Sequence, residues 1–299
     1  MSDQDKAADI HCSVLPSETL ELLDPRSDGV YVDGTLGLGG HSEAILRKSS
    51  PNGRVIAFDW DAAAIEKSRE RLKCFGDRLT IVRRNFSEIG EGLAEVGVDK
   101  VDGILIDIGL SSLQLDMGAR GFSFQRDEPL DMRMDLRREV TAAAILAECS
   151  EDELADIFYY YGEEKQARRI ASFVVQERML EPISTSKQLA DIVVKAVPRR
   201  FHPKKIHVAT LVFQALRIAV NTELENLAGI LERGVEYLKP GARFCVISFH
   251  SLEDRMVKRK FRDNEELKVI TRKPVVASPD ERERNRRSRS ARLRVAEKI

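Results

Sequence analysis

The stretch Tyr31-Val32-Asp33-Gly34-Thr35-Leu36-Gly37-Leu38-Gly39-Gly40-His41-Ser42 constrains the fold more than any other part of this sequence. A short apolar run ends in an acid, passes through a glycine-dense turn and enters a segment of helical character from Glu43 to Lys48. Glycine has no Cβ and reaches positive φ without penalty, so the main chain of such a turn can approach a ligand closely. Asp59 follows Gly39 after about twenty residues, at the end of a second apolar run, Val55-Ile56-Ala57-Phe58. Glycines at the first turn and an acid at the second strand tip describe a nucleotide-type site, with backbone against the ligand and a carboxylate on ribose hydroxyls. The turn departs from the dinucleotide fingerprint, because Ser42 stands where the third small residue would be. That departure favours a ligand with an adenosine and no pyrophosphate. S-adenosylmethionine fits the description better than a nicotinamide dinucleotide does.

Bulk properties narrow the setting. The 299 residues suffice for two domains or one large one, and a net charge of -1 provides no global field for nucleic acid, so a basic surface has to be local. One such excess is the Arg-rich segment from Asp280 to Arg294. No apolar stretch is long enough to span a bilayer, and Met1 to Asp9 lacks the apolar core of a signal peptide. Cys12, Cys74, Cys149 and Cys245 are far apart with no C-x-x-C pair, which points to small buried hydrophobes, no metal site and a cytoplasmic location. Oligomeric state stays open; a homodimer is an allowed assembly.

Strand-like runs at Val30 to Val32, Val55 to Phe58, Leu79 to Val82 and Gly103 to Ile106 alternate with helical segments such as Ala62 to Phe75. The alternation predicts an α/β fold, a parallel sheet wound with helices. From Ser112 to about Ile206 helices replace strands, with capping-box signals at Ser150-x-x-Glu153 and Thr185-x-x-Gln188. This block reads as an inserted all-helical domain over residues 112–206, flanked by residues 1–111 and 207–299 of the sheet domain. A long helix is expected from about Val208 to Tyr237, stopped by Pro240-Gly241, then strands at Phe244 to Phe249, Lys268 to Thr271 and Ala291 to Ala296.

Chemistry concentrates at predicted strand ends. Ligands of open parallel sheets sit beyond the carboxyl ends of the strands, so Asp107, in Asp107-Ile108-Gly109-Leu110-Ser111-Ser112, projects toward the gap between cofactor and substrate. A carboxylate there can accept a hydrogen bond from an amino group. The Asp/Asn-Pro-Pro-aromatic tetrad of many amine methylases is absent. The loop from Arg120-Gly121-Phe122-Ser123-Phe124 to Met134-Asp135 mixes aromatics, methionines and arginines, suited either to stacking on a base or to packing. Thr210, Gln214, Arg217 and Asn221 form a polar stripe on an otherwise apolar helix. Ser251-x-x-Asp254 reads as a capping box, and Arg255, Arg259 and Arg262 as a phosphate-holding or merely solvated face.

Taken in order, these pieces resemble the RsmH/MraW family of bacterial methyltransferases that act on a cytosine N4 of small-subunit (16S) ribosomal RNA. The resemblance spans nearly the whole chain, from His11-Cys12-Ser13-Val14-Leu15 through the glycine turn, Asp107 to Ser112, Pro129-Leu130-Asp131-Met132-Arg133-Met134-Asp135 and Tyr161-Gly162-Glu163-Glu164, to Ser248-Phe249-His250-Ser251-Leu252-Glu253-Asp254-Arg255 and Arg287-Ser288-Arg289-Ser290-Ala291. It implies a class I methyltransferase fold, Rossmann-like and doubly wound, with a helical insertion that recognises substrate. It also implies cofactor contacts at Gly39, Gly40, His41, Asp59, Phe86, Asp107 and Gln114; Phe86 comes from the resemblance alone. Leu211 departs from it, since the family usually has Arg there. For methyl transfer to N4, Asp107 leads as proton acceptor, with Ser111, Ser112 and His250 as further candidates. The partner implied is ribosomal RNA, as part of the small subunit. Two rivals remain at the level of sequence: a nicotinamide oxidoreductase, disfavoured by Ser42, and a catalytically silent RNA-binding factor, disfavoured by the intact glycine turn and Asp107.

Overall fold

A computed structural model describes residues 13–109 and 120–299. The chain forms two compact units, residues 1–111 with 225–299, and residues 112–224.

The first unit is built on a seven-stranded sheet. Its strands are β1 (Val30–Asp33), β2 (Arg54–Phe58), β3 (Leu79–Val82), β4 (Val101–Asp107), β5 (Leu238–Ser248), β6 (Leu267–Val269) and β7 (Arg292–Lys298). They lie in the order β3-β2-β1-β4-β5-β7-β6. β1 to β5 pair in parallel, and β7 runs antiparallel to both β5 and β6. The strands read as near-continuous apolar runs because both faces of the sheet are covered. Val32, Ile56, Ile104 and Ile106 join one core with α4 (Ile89–Glu95), α11 (Ser251–Asp263) and α10 (Glu223–Arg233), whose residues from 225 onward belong to this unit. Tyr31, Val55, Ala57 and Leu105 join the other, against α1 (Pro16–Leu23), α2 (Gly40–Lys48) and α3 (Ala62–Leu72). Neighbouring residues along each strand thus serve opposite cores, the period-two rule of a pleated strand.

This order sends the chain outward from β1 to β3 on one side and from β4 to β5 on the other. The reversal opens a crevice at the carboxyl ends of β1 and β4.

The second unit carries α5 (Ala142–Glu148), α6 (Glu151–Tyr160), α7 (Ala167–Arg178), α8 (Ser186–Ala196) and α9 (Thr210–Asn221). Both predicted capping boxes form, Ser150 with Glu153 and Thr185 with Gln188. The long helix expected from Val208 to Tyr237 is instead two helices. Thr222 sits at φ 50°, ψ 44° between α9 and α10, a left-handed conformation that no helix can continue through. Pro240 and Gly241 do not stop a helix either; they lie inside β5, where Gly241 takes φ +79°. Among the described residues no helix is long and apolar enough to cross a membrane.

Candidate active site

The glycine turn closes on itself and on the sheet. Gly34 N–H donates to Leu105 O (2.8 Å) and Gly39 N–H to Leu36 O (2.7 Å). Gly39 is the N-cap of α2 at φ 78°, and Gly37 stands at φ 52°. A Cβ on Gly39 would meet Leu72 Cδ1 at 2.6 Å, and one on Gly40 would meet Ser13 Oγ at 2.1 Å. The positive φ of Gly39 therefore already favours glycine there, whereas a Cβ at 40 would require only that the Ser13 hydroxyl turn aside. What the turn presents outward is the first turn of α2, whose N–H groups have no intrahelical acceptor and carry the positive end of the helix dipole.

Asp33 holds this turn rather than facing outward. Its Oδ2 accepts from Ser42 Oγ at 2.7 Å and its Oδ1 from Thr35 N at 3.1 Å, with Asp33 and Ser42 both fully buried. Burial raises the Asp33 pKa, and the hydrogen bonds offset that only in part. Ser42, which breaks the dinucleotide pattern, thus has a structural task of its own.

At the tip of β2, Asp59 closes the other side. Its Oδ2 accepts from Gly37 N at 2.8 Å and its Oδ1 from Asp61 N at 2.9 Å. The residue is only half-buried, but its carboxyl is crowded by protein, and desolvation pushes its pKa up to about 7. Phe86 opens the short 3-10 turn Phe86–Glu88 beyond β3, fixed by Asn85 through its Oδ1 to Ser87 N (2.8 Å). A Cβ on Gly34 would stand 3.0 Å from Phe86 Cβ, so Phe86 borders the glycine turn.

Asp107 ends β4 across the crevice. Its N–H donates to Thr35 Oγ1 (2.7 Å) and its Oδ1 accepts from Gly109 N (3.2 Å). His41 Nε2 lies 3.6 Å from Asp107 Oδ2, just beyond hydrogen-bond length, and the imidazole is 8% exposed. Burial opposes the charged imidazolium, but Asp107, then Asp33 and Glu281, outweigh it and raise the His41 pKa. One edge of the sheet therefore gathers Asp33, His41, Asp59 and Asp107, with Phe86 alongside.

His250 follows the carboxyl end of β5, the strand paired with β4. It caps α11, its N–H and that of Phe249 donating to Glu253 Oε2 at 3.3 and 2.7 Å. Its Nε2 is 2.8 Å from Glu253 Oε1, and Glu253 is 1% exposed. The capping box is thus His250-x-x-Glu253, not the Ser251-x-x-Asp254 expected from the sequence. The physical reason lies on β7. Arg294 Nε donates to Asp254 Oδ1 (2.6 Å) and Arg292 Nη1 to Oδ2 (3.0 Å), and these guanidiniums overcome burial to lower the Asp254 pKa. Ser111, Ser112 and Gln114 lie outside the described residues.

Two members of the cluster escaped sequence reasoning. Thr35 was part of the turn but gave no sign that it accepts from Asp107 N, a contact spanning 72 residues. Glu281 lies still farther off in sequence; its Oε1 accepts from Leu15 N at 2.8 Å while its charge reaches His41.

A seven-stranded sheet with its last strand antiparallel, a glycine turn at β1 and acids at the tips of β2 and β4 define a class I methyltransferase. A family model described as the MraW methylase family matches residues 8–299, and the chain belongs to that family. The ribosomal RNA small subunit methyltransferase H of Desulfotalea psychrophila is 66% identical over 98% of this chain and 99% of its own length. Its counterpart in Geotalea uraniireducens is 50% identical over 97% of this chain and 98% of its own. The solved structure of PH0851 shares the fold at TM-score 0.50 and 12% identity, covering all of this chain and 50% of that one.

The cofactor of such an enzyme is S-adenosylmethionine, and the residues present suit it. The α2 N-terminus and Asp59 offer donors and an acceptor at opposite sides of the turn, and the carboxylates at this edge favour a cationic sulfonium.

Proposed function

We propose that this chain transfers the methyl group of S-adenosylmethionine to the exocyclic N4 of one cytidine in small-subunit (16S) ribosomal RNA. The observation that carries the reading is the placement of Asp107, at the tip of β4 beside the chain-reversal crevice, held by Thr35 and Gly109 and faced by His41. The names of the close relatives support ribosomal RNA as the substrate.

When bound, the cofactor supplies a methyl carbon already activated by a positively charged sulfur. The protein's task is then alignment and proton management. The N4 lone pair is delocalised into the pyrimidine ring. An Asp107 oxygen accepting one N4–H holds the amine in line and draws density onto nitrogen. As the N–C bond forms and the methyl–sulfur bond breaks, nitrogen becomes acidic and Asp107 takes its proton. Asp59 accepts the ribose hydroxyls and Phe86 borders the adenine. The target base leaves its stack to reach the crevice. The helical unit, residues 112–224, recognises the RNA.

The test incubates the protein with tritiated S-adenosylmethionine and small subunits lacking the modification, then maps the labelled nucleoside. N4-methylcytidine is the expected product; label on a ring carbon or on protein overturns the reading. Asp107→Ala is expected to lower kcat by about 100-fold or more while leaving cofactor affinity within a few-fold. Wild-type turnover in that variant removes Asp107 from the mechanism.

A further inference from the structure

The helical unit holds a second constellation that the transfer chemistry does not use. Residues 199–207, Arg199-Arg200-Phe201-His202-Pro203-Lys204-Lys205-Ile206-His207, contain two arginines, two lysines and two histidines and no carboxylate, in a chain whose net charge is only -1. All four Lys and Arg residues are exposed. Apolar surface is exposed among them: Phe201 is 49% accessible, with the Arg200 guanidinium 4.8 Å from its ring centroid, and Ile206 is 45% accessible.

The segment ends at a built stack. The exposed His207 ring lies over Phe124 at 4.7 Å with an interplanar angle of 30°. Phe124 in turn meets the buried Phe213 edge-on at 5.1 Å, so the platform is anchored in the core of the unit. Ala209 N–H donates to His207 Nδ1 at 3.2 Å, which fixes the ring and leaves Nε2 to carry the proton of the neutral form. Beside the stack is a cavity of about 260 Å³, lined among others by Arg126, Asp127, Lys187 and Asp191.

We propose that this cavity takes one unpaired nucleotide of the RNA substrate, other than the one methylated, its base against the Phe124–His207 stack and its strand's phosphates along Arg199, Arg200, Lys204 and Lys205. The inference rests on the reading of the substrate as ribosomal RNA. An aromatic platform joined to a cationic track is the arrangement that binds single-stranded nucleic acid: every base has a π-face to stack, and every linkage a phosphate to neutralise. Asp127 and Asp191 add acceptors beside the donors, so the cavity also suits the edge of a base. A patch meant only for solubility would not need Phe201 and Ile206 exposed within it.

The probe is a single-stranded RNA of about 12 nucleotides carrying 5-iodouridine, near the site size of single-strand binders. Irradiation is expected to cross-link Phe124 or His207. His207→Ala is expected to weaken binding and to raise KM for small subunits about tenfold, with kcat and S-adenosylhomocysteine affinity unchanged. Lys204→Glu with Lys205→Glu is expected to shrink the slope of log affinity against log salt by about 1.4 or more on this single strand. Wild-type KM in both variants, or cross-links only elsewhere, overturns the proposal, as does preferential binding of the patch to anionic lipid vesicles over RNA. Oligonucleotide binding is read without methyl transfer. Failure of the N4 assignment therefore leaves this test standing, and failure here leaves methylation intact.

Discussion

Burial at the carboxyl edge of the sheet sets two protonation equilibria that report on the site in different ways. Desolvation pushes Asp59 up to about 7, so near neutrality its carboxyl is partly protonated before a ligand arrives. Ribose hydroxyls, the partners proposed for Asp59, bind best to the ionised form, so proton uptake competes with them. The affinity for S-adenosylhomocysteine is expected to be flat above about pH 8 and to weaken by up to about tenfold per pH unit below 7. Asp59→Asn is expected to remove that dependence, and calorimetric titrations from pH 5.5 to 8.5 decide it; a slope that survives in the variant assigns the proton elsewhere. His41 runs the other way. Its folded pKa lies above the usual histidine value because Asp107, Asp33 and Glu281 outweigh burial. A raised cationic pKa contributes stability that is present below the unfolded value of about 6.5 and is lost as pH climbs through the folded value. The stability advantage of wild type over His41→Gln is therefore expected to be greatest near pH 6 and to shrink toward pH 8.5 in denaturant titrations. A constant difference across that range means that His41 does not sense those carboxylates.

Single elements show why some features were legible in the sequence and others were not. β1, β2 and β4 announce themselves because they bury both faces, and the caps at Ser150 and Thr185 because their partners lie three residues on. The polar stripe of α9 reads differently in three dimensions. Asn221 is fully buried, accepting from Met134 N (2.8 Å) and donating to Met132 O (2.8 Å). Arg217 pairs with Glu223 at 2.8 Å, and Gln214 Nε2 donates to Tyr161 O at 3.1 Å. The stripe is thus a seam that ties the 131–135 loop, more than eighty residues away, and the end of α6, 53 residues away, to α9, pairings that no local pattern encodes. Within that loop Met132 and Met134 are core, and Arg133 and Arg137 are engaged by Asp131 and Asp135, so packing accounts for most of its composition. The capping box of α11 shifted by one residue for the same kind of reason, since Asp254 answers to Arg294 on a strand 40 residues away. Asn221→Leu strands a buried N–H and a buried C=O and is expected to cost about 2–4 kcal/mol by chemical denaturation. A loss under about 0.5 kcal/mol would mean that solvent reaches those groups.

At the scale of the whole molecule the described residues proposed to hold the cofactor, Gly39, Gly40, His41, Asp59, Phe86 and Asp107, all belong to the sheet-based unit, although β4 and β5 are separated in sequence by the whole helical unit. Sheet pairing reunites them: Asp107 sits opposite Ile247, and Ile108 N–H donates to Ile247 O at 3.0 Å. Ligand that binds only the folded state stabilises it by mass action, about 2.7 kcal/mol at a hundredfold excess over Kd. Hydrogen exchange locates where that stabilisation is felt. With saturating S-adenosylhomocysteine, slowing is expected in the glycine turn, the first turn of α2, the β2 tip at Asp59 and the end of β4. Peptides from α6 to α8 are expected to change little, because they hold none of the residues proposed to contact the cofactor. Single-stranded RNA is expected to give the complementary pattern, with protection over residues 199–207 and around Phe124. The two footprints test separate inferences in one measurement. Cofactor protection spread evenly over α6 to α8 would show that the helices take part in cofactor binding, and RNA protection confined to the sheet unit would remove the base-stacking site.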